Sequence, residues 1–500
     1  MLITRAEIAD RSPVDVRIAD GRVAQVGCGL TAASGEPALD AAGGALLPGL
    51  HDHHLHLFAL AAAEASVRCG PPAVTDADGL AAALAGAPAS PEWIRGVGYF
   101  ESVAGRLDRW RLDALAPDRP LRIQHRGGAL WIVNSAGADR LGLDRGVGAE
   151  GVERDAEGRA TGRLFRLDAW LRQRLGDAAR PSLAGVGRKL ARYGVTGVTD
   201  ATPGNAAGDV AAFAEAVARG DLRQRVLAMG ASEHPAAFPP DVERGAVKVW
   251  LSDVDLPPFG ELRRTIENAH RAGRPVAIHC VTRAELVLGA AAFAAAGARS
   301  GDRIEHAAVA PPDALALLAA LPVTVVTQPN FIHERGDAYA VEVEPADRPW
   351  LYRGRGFLEA SVPLGGGTDA PFGDPDPWRA MQAAVDRRSA GGLSLGPDEA
   401  LSPERALALF TSPAHAPGGP PRRIEAGAPA DLCLLDRPWA EARRGLSSAH
   451  VAATLRGGQL TWRREGLRGF RGQRRRQRRR VVVGRESVED GAAGGDPARE

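Results

Sequence analysis

The sequence LLPGLHDHHLHL, which runs from Leu46 to Leu57, decides how the rest of the chain is interpreted. An apolar lead-in reaches a Pro-Gly step, and four of the chain's 12 histidines then follow together with an aspartate. His54 and His56 are two residues apart, so on a strand they point to the same face. Paired neutral imidazoles of this kind chelate metal ions. His51 and His53 alternate onto the opposite face, so we do not expect them to be ligands.

The composition is that of a large enzyme with an ordinary core. Apolar residues make up 45% and charged residues 25% of the 500 residues, as in typical soluble domains. The net charge of +1 gives no general attraction to nucleic acid or to a membrane surface. No apolar run approaches the roughly 20 residues that cross a bilayer, and the N-terminus lacks a signal-peptide core. The four cysteines are scattered without CxxC spacing, so we expect a reducing cytoplasm.

Short apolar segments alternate with helical ones from about residue 181 onward. Such alternation predicts a parallel sheet covered on both faces. With the strand that carries His54 there are eight strands, which predicts an α/β fold of the (β/α)8 TIM-barrel type with a helical segment after each strand. The predicted barrel, residues 48–423 without the stretch 69–180, has 264 residues, close to the roughly 250 typical of this fold. The other predicted strands are 195–200, 224–230, 246–251, 275–281, 303–309, 323–329 and 362–371.

Three regions lie outside this alternation. Residues 69–180 do not show the alternation of strands and helices. We therefore interpret them as a large insertion after the first strand that forms a lobe or lid. Residues 1–47 contain a sequence pattern typical of a β-hairpin. Like residues 424–465, they consist of short apolar strands separated by turns, so both ends are predicted to form one small β-sandwich domain. Residues 466–500 are rich in arginine and then acidic. We interpret them as a disordered tail rather than a nucleic-acid contact, because no aromatic platform interleaves with the arginines.

Six side chains with metal-binding potential fall at the carboxyl ends of predicted barrel strands. Barrels of this type place their catalytic residues at that end. A single buried histidine is more often a packed core residue than a ligand, but several of them at one end of one barrel indicate a metal site. The six residues are His54, His56, Lys248, His279, His306 and Asp369.

Lysine is rare in this chain, because only two of its 62 basic residues, Lys189 and Lys248, are lysines. Lys248 lies in the apolar strand AVKVWL, where burial disfavours the charged ammonium and lowers its pKa. A neutral amine can react with CO2 to give a carbamate, which is an anionic ligand, whereas arginine stays charged. We therefore prefer Lys248 as a ligand over the alternative of a lysine that extends from the strand end to solvent.

Taken together, the motifs PGLHDHHLH, AVKVWL, AIHCV, RIEHA and GGGTDAPF resemble those of the amidohydrolase superfamily of metal-dependent hydrolases. The insertion motifs WIRGVGYF, WIVNSAG and DAEGRATGRL, with the ending APADLCLLD, resemble its amidohydrolase-3 branch. That branch includes YtcJ-like proteins and N-substituted formamide deformylases. The resemblance covers roughly residues 1–463, and its motifs are specific as a set.

The resemblance implies a hydrolase that cleaves a non-peptide carbon–nitrogen bond of a small amide, formamide or cyclic amide with metal-activated water. It implies that the six strand-end residues hold one or two divalent ions, with zinc preferred. Lys248 would be the carbamylated bridging lysine, and Asp369 would also be the general base or proton shuttle. The expected partner is a small-molecule substrate, and the sequence leaves open whether the chain forms a homo-oligomer.

Two departures from the family pattern concern the substrate. A DGH-like triplet usually precedes the NS of WIVNS, whereas this chain has Gly127, Gly128 and Ala129, with His125 close by as a substitute. The branch usually has an Asp-Gly loop after the strand-4 lysine, whereas here it is SDVDLPPFG. Candidate substrate contacts in the insertion, with packing inside the lobe as the alternative for each, are Trp93, Tyr99, Trp131 and Asn134.

Two other functions stay open at this point. One is a deaminase of the same superfamily, but such enzymes lack the lysine on strand 4 and use a glutamate near the strand-5 histidine, where this chain offers only Glu285. The other is a non-catalytic binding or regulatory protein, for which a decayed ligand set would be expected, and none of the six positions is lost. Glu305, beside His306, is expected to face the opposite side of its strand and to serve packing or to support a ligand.

Overall fold

The computed structural model describes residues 1–9, 11–87, 92–115, 119–145, 149–175, 180–231, 238–239 and 241–465. Strands and helices are numbered here in chain order. The strands are β1 (Leu2–Ile8), β2 (Arg11–Ala19), β3 (Arg22–Gly27), β4 (Ala38–Asp40), β5 (Leu46–Pro48), β6 (Leu50–Leu55), β7 (Val67–Arg68), β8 (Ile94–Tyr99), β9 (Leu121–His125), β10 (Leu130–Val133), β11 (Val152–Arg154), β12 (Ala160–Phe165), β13 (Val195–Asp200), β14 (Arg225–Gly230), β15 (Val242–Trp250), β16 (Val276–Cys280), β17 (Arg303–His306), β18 (Thr324–Thr327), β19 (Leu364–Gly366), β20 (Leu432–Leu435), β21 (Val451–Arg456) and β22 (Gln459–Arg463). The helices are α1 (Leu57–Glu64), α2 (Ala77–Ala85), α3 (Glu101–Ala104), α4 (Arg109–Asp113), α5 (Ser135–Leu141), α6 (Asp168–Leu175), α7 (Ala184–Arg192), α8 (Ala207–Ala218), α9 (Phe259–Arg271), α10 (Arg283–Ala296), α11 (Pro312–Ala319), α12 (Asn330–Glu342), α13 (Arg355–Glu359), α14 (Pro377–Asp386), α15 (Pro403–Thr411) and α16 (Trp439–Ala442).

Eight parallel strands form the central sheet, in the order β6, β13, β14, β15, β16, β17, β18 and β19. The two end strands of this order meet just beyond their carboxyl ends. There the Asp369 N–H donates to the His54 carbonyl oxygen (2.7 Å) and the His56 N–H donates to the Ala370 carbonyl oxygen (2.8 Å). The sheet therefore closes into a nearly complete barrel, which confirms the predicted (β/α)8 class.

The barrel strands are buried on both faces because helices cover their outer side. Strands β13 and β17 have no exposed residue. Their apolar side chains, such as Val198 and Ile304, belong to one large core together with Phe213 of α8 and Phe293 of α10. Burial of this kind explains why the strand sequences are continuous apolar runs rather than alternating ones.

Some details of the barrel differ from the sequence prediction. Strand β15 begins at Val242, four residues before its predicted start, and β19 covers only Leu364–Gly366. The chain leaves the sheet soon after β19, where Asp369 adopts a φ of 55°, a conformation incompatible with a continuing strand. A helix was predicted after every strand. Residues 231, 238, 239 and 241, which follow β14, are not helical, and the rest of that connection lies outside the described residues.

The two ends of the chain build a pair of four-stranded sheets. One has the order β3, β2, β1, β4, and the other has the order β22, β21, β20, β5. Apolar side chains from both sheets, including Ile3, Val16, Leu434 and Ala452, pack into one shared core. This confirms a β-sandwich made from both termini, and its boundaries at 1–47 and 424–465 stay a prediction.

The insertion after β6 and α1 carries a sheet of its own, with the order β11, β12, β10, β9, β8, β7. This sheet is mixed, because β7, β8 and β9 pair in parallel whereas β9, β10, β12 and β11 pair antiparallel. Two separate apolar clusters pack against it. Among the helices of the described residues, none has the length and apolar character that crossing a membrane requires. The predicted disordered tail, residues 466–500, lies outside the described residues.

Candidate metal centre

The closing hydrogen bonds of the barrel bring three candidate ligands together. His54 is the penultimate residue of strand β6 and His56 follows the strand, while Asp369 lies just beyond β19. The Nε2 atom of His56 lies 3.2 Å from Asp369 Oδ1, and the Nε2 atom of His54 lies 3.5 Å from the same oxygen. One ligand atom from each of the three residues lies within 4.8 Å of the others, which is a spacing at which one ion can be shared.

Two more predicted ligands extend this group as a row of rings. The His306 ring centroid lies 4.8 Å from that of His54 and 4.4 Å from that of His279. The His54 and His56 rings are 5.4 Å apart. Four histidines from three different barrel strands are therefore neighbours, because β6, β16 and β17 all end at the same rim.

The backbone is strained at two of these positions. His306 has a φ of 70°, the following Ala307 a φ of 46°, and Asp369 a φ of 55°. Non-glycine residues rarely adopt this left-handed region, and such strain concentrates at functional sites. The turn at His306 also explains how its ring reaches the same rim as the side chain of the preceding residue, Glu305.

The histidines are held by partners on their other ring nitrogens. Glu305 Oε2 lies 2.5 Å from His54 Nδ1, and Gln328 Oε1 lies 2.6 Å from His306 Nδ1. A hydrogen bond at Nδ1 leaves Nε2 free for a metal and fixes the ring orientation. The expectation that Glu305 faces the opposite side of its strand is wrong, because the turn at His306 lets both side chains point inward.

Glu305 is itself held by a buried arginine. Arg303 Nε donates to Glu305 Oε1 (2.6 Å), and a terminal nitrogen of the same guanidinium donates to Glu305 Oε2 (3.1 Å). Arg303 also donates to the His53 carbonyl oxygen (2.8 Å). Although burial alone would raise the pKa of Glu305, the charges of Arg303 and Lys248 lower it below its ordinary value. The carboxylate that orients His54 is therefore ionised.

His54, His279 and His306 are neutral because they are buried. Desolvation lowers the pKa of His54 and that of His306 well below the ordinary histidine value. Desolvation, with the nearby charge of Lys248, lowers the pKa of His279 to about 3. Neutral imidazole is the form that coordinates metal ions.

Lys248 lies on β15 inside the same end of the barrel. Its side chain is 6% exposed, and its Nζ atom has no hydrogen-bond partner among the residues that the structure describes. Desolvation lowers the pKa of this lysine despite the favourable charge of Glu305. A buried amine without a partner is costly, and ligation after conversion to a carbamate would satisfy it. Nitrogen and carboxylate donors of this kind fit a divalent transition metal.

The four candidate substrate residues of the insertion lie inside the lobe. Tyr99 is fully buried and donates its hydroxyl to the Gly105 carbonyl oxygen. Trp131 donates to Asp168 (2.8 Å). The Asn134 side chain caps α5, and Trp93 packs in the same cluster as Trp131. The described contacts join none of them to the ligand group, so their role in substrate binding stays a prediction.

The residues at the two departures from the family pattern have structural partners. His125 Nε2 lies 3.0 Å from Glu101. Gly128 has a φ of 79° and packs against Phe372. A Cβ atom on Gly128 would lie 2.6 Å from the Phe372 ring. Since the Phe372 ring is 5.6 Å from the His56 ring, the glycine loop of the lobe reaches the rim of the ligand group. A larger residue at position 128 would be strained by its φ and would have to displace the Phe372 ring.

Glu285, the acid considered for a deaminase, is fully engaged with backbone. Its carboxylate accepts from the N–H groups of Val281 (2.6 Å), Thr282 (3.1 Å) and Asp253 (2.9 Å). The bond from Thr282, together with the Glu285 N–H that donates to the Thr282 hydroxyl, forms the capping box of α10. Glu285 therefore has a structural role at the start of this helix.

Sequence reasoning missed three residues at the mouth of the barrel. Trp250, at the end of β15, is 49% exposed and lies edge-on 6.2 Å from His279. Phe372 faces His56, and Arg335 on α12 donates to the Phe372 carbonyl oxygen (2.7 Å). Aromatic residues at or just after the end of a ligand strand were a signal for the first two, whereas Arg335 lies in helix α12, whose sequence offers no such signal.

Comparison with known proteins supplies independent findings. A family model described as the amidohydrolase family matches residues 38–462. The chain is 26% identical to an N-substituted formamide deformylase of Arthrobacter pascens, over 90% of this chain and 95% of that protein. It is 25% identical to the putative amidohydrolase YtcJ of Bacillus subtilis (strain 168), over 74% and 79% respectively. The solved structure of an uncharacterized metal-dependent hydrolase from Pyrococcus horikoshii OT3 shares the fold, with a TM-score of 0.69, 21% identity, and coverage of 87% of this chain and 97% of that one.

Proposed function

This chain belongs to the amidohydrolase family and is a metal-dependent hydrolase of carbon–nitrogen bonds, and we propose that it cleaves a small amide, N-substituted formamide or cyclic amide. The convergence of His54, His56 and Asp369, with ligand atoms within 4.8 Å of one another, carries this proposal. The name of the Arthrobacter relative supports a formamide-like substrate.

We propose that the ligands of one or two divalent ions, with zinc preferred, are the three converging residues together with His279, His306 and Lys248. Zinc accepts histidine nitrogen and carboxylate oxygen in this kind of mixture. When bound, such an ion acidifies a water molecule and polarises the scissile carbonyl. The neutral state of the buried histidines supports this donor set.

Asp369 is the proposed proton carrier of the reaction. Its Oδ1 atom is 3.2 Å from His56, and its side chain is largely buried at the rim. It accepts a proton from the attacking water and delivers it to the leaving nitrogen, which is general acid–base catalysis. In the balanced reaction, water adds OH to the carbonyl carbon and H to the nitrogen as the C–N bond breaks.

Lys248 is the proposed carbamylated ligand. The neutral amine adds to CO2, forms a C–N bond at Nζ and releases a proton, so that the strand gains an anionic oxygen ligand. The buried Nζ atom, which has no partner among the described residues, and the lowered pKa of this lysine support this assignment. The remaining proposals rest on the sequence alone: the lobe supplies substrate selectivity, and the chain acts in the cytoplasm.

The proposed function is tested on the purified full-length chain by elemental analysis and by a hydrolysis screen. The screen uses N-substituted formamides, N-acyl amino acids and cyclic amides, and it measures the released amine or opened ring. We expect at least one transition metal per chain and turnover that chelation abolishes and added zinc restores. A folded chain that carries no transition metal, or a loaded chain that hydrolyses none of the three classes, contradicts the proposal.

The role of Lys248 is tested with Lys248→Ala and a matched control. We expect the variant to lose metal and about 100-fold in kcat/KM, or roughly 3 kcal/mol, with partial rescue by short carboxylic acids that replace the carbamate. Lys189→Ala is the control, because this lysine is 40% exposed and pairs with Glu64 on the surface. Equal metal content and activity in both variants would show that Lys248 is not a ligand.

A further inference from the structure

An arginine on α12 lies beside the candidate metal centre without a ligand role. Arg335 donates to the Phe372 carbonyl oxygen (2.7 Å), three residues after Asp369. The Phe372 ring is 5.6 Å from the His56 ring, and Arg335 lies within electrostatic reach of Asp369 itself. Its guanidinium is therefore part of the wall of the barrel mouth.

Among the described residues, Arg335 has no direct ion pair, although Asp369 and Glu334 act on its charge from a longer distance. Within the part of the chain that the structure describes, no carboxylate lies within ion-pair distance of this side chain. It lies 4.0 Å from the Phe331 ring centroid instead. Arg126 of the lobe, which is close enough to oppose its charge, has a partner in Glu342 (3.3 Å). Of these two mouth arginines, only the half-buried Arg335 lacks a direct ion pair among the described residues.

Two phenols lie on the same side as Arg335. The hydroxyls of Tyr339 and Tyr352 are 3.4 Å apart, and both rings are within electrostatic reach of the guanidinium. Burial raises the pKa of Tyr352 well above its ordinary value, so its hydroxyl stays protonated and can donate. Tyr352 also has a φ of 42°, a costly conformation for a bulky residue.

We propose that Arg335 binds a carboxylate of the substrate, so that the substrate is an N-formyl or other short N-acyl amino acid rather than a neutral amide. This inference rests on the proposed hydrolase function and deepens it. Guanidinium groups bind carboxylates through paired N–H donors, and one terminal nitrogen of Arg335 is already used by Phe372. Hydrolysis of such a substrate adds water across the C–N bond and releases formate, or another short acid, and the free amino acid.

A role of Arg335 in holding the Phe372 loop is the competing explanation. A structural role would lower affinity for acidic and neutral ligands alike, whereas a carboxylate contact lowers affinity only for the acidic one. The test therefore uses two ligands that turnover does not consume: N-methylsulfonyl-leucine and its carboxamide, in which a sulfonyl group replaces the scissile carbonyl. Calorimetry on the metal-loaded full chain gives a Kd for each, and any direct binding to the metal is common to both.

We expect the wild-type chain to prefer the acid and Arg335→Met to lose that preference by about 30-fold, within the range of one charge-assisted contact. Arg335→Lys, which keeps the charge, should retain part of the preference if the methionine variant is unstable. Arg355→Met, at an exposed arginine paired with Glu359, is the control and should leave both Kd values unchanged. Equal losses for both ligands, or a wild-type chain that does not prefer the acid, overturn the inference.

A failure of the proposed hydrolase function can be distinguished from a failure of the carboxylate contact by measuring turnover. Turnover of N-formyl-leucine and N-formyl-leucinamide is measured on the same preparations. A chain that discriminates the sulfonyl ligands but hydrolyses neither formyl compound keeps the carboxylate contact and refutes this hydrolysis. A chain that hydrolyses both equally well refutes the contact and keeps the hydrolase.

Discussion

The two ends of strand β6 carry the same residue type in opposite chemical settings. At the mouth, His54 lies beside Glu305 and Asp369, and His56 lies beside Asp369. At the other end, His51 Nε2 lies 2.9 Å from the Thr199 hydroxyl, and His53 Nε2 lies 3.0 Å from that of Ser412. His51 and His53, which we call the lower histidines, contact neutral hydroxyls. His54 and His56, at the mouth, converge on carboxylates.

The surroundings of the lower end reinforce the contrast. A cavity of about 490 Å³ lies there between the barrel and the β-sandwich, with His51 in its wall. Two ion pairs line this cavity, Arg225 with Asp431 (2.7 Å) and His415 with Glu243 (2.5 Å). Burial and histidine content therefore do not identify a metal site. The convergence of several histidines on one carboxylate does.

The largest effect that separates the two ends is expected from loss of a mouth histidine. His56→Ala removes one of the three converging donors, so we expect loss of bound metal and about a thousandfold lower kcat/KM, or roughly 4 kcal/mol. Elemental analysis and turnover of a formamide measure it. His51→Asn is the matched control on the same strand, and it should keep its metal and most of its activity. Loss of metal from His51→Asn but not from His56→Ala would show that the metal binds at the opposite end of the strand.

An intermediate effect is expected at Glu305, which we interpret as a positioning residue for His54. Glu305→Gln should weaken metal affinity by 10- to 100-fold, as is typical when the carboxylate partner of a metal-binding histidine is lost. Competition with a chelator measures this change.

The control for Glu305 is a second buried histidine–carboxylate pair that adjoins the same strand. Asp302 precedes β17 and lies 3.0 Å from His270, away from the ligand group. Asp302→Asn should lower the free energy of unfolding without changing metal affinity, because it removes buried hydrogen bonds only. Equal chelator curves for both variants would show that Glu305 has no special relation to the metal.

The smallest effect is expected at the lower end. Ser412→Ala removes the hydroxyl partner of His53, and we expect a loss of about 1 kcal/mol in the free energy of unfolding. The metal content and kcat/KM should not change. Denaturant unfolding of metal-loaded protein measures the stability change, and a decrease in activity larger than about threefold would show that the two ends are coupled.

Much of the fold could be predicted because the barrel strands are continuous apolar runs. Runs such as VTGVTD and VAIHC are buried on both faces, so their composition identifies them directly. Strand ends were harder to predict. The early start of β15 and the short β19 depend on pairing with neighbours and on the turn at Asp369, which the local sequence does not reveal.

The candidate ligands were predictable for a topological reason, since the carboxyl ends of parallel strands share one rim of a barrel. Their partners were not predictable. Glu305 was expected to face away, because strict alternation separates adjacent residues, and only the left-handed φ of His306 lets both point inward. Trp131 and Tyr99 matched a substrate wall by residue type, yet their contacts lie within the lobe.

The sequence alone determined the class of this protein. Periodicity marks the barrel, and the rarity of histidine and lysine makes their positions at strand ends informative. The tertiary structure decided which of the four histidines in and just after β6 meet a carboxylate, which acid orients His54, and where an arginine without a direct ion pair in the described residues faces the mouth. These features depend on residues more than 200 positions apart, such as His54 and Glu305. Their contacts arise from barrel closure and backbone turns, and no local pattern encodes them.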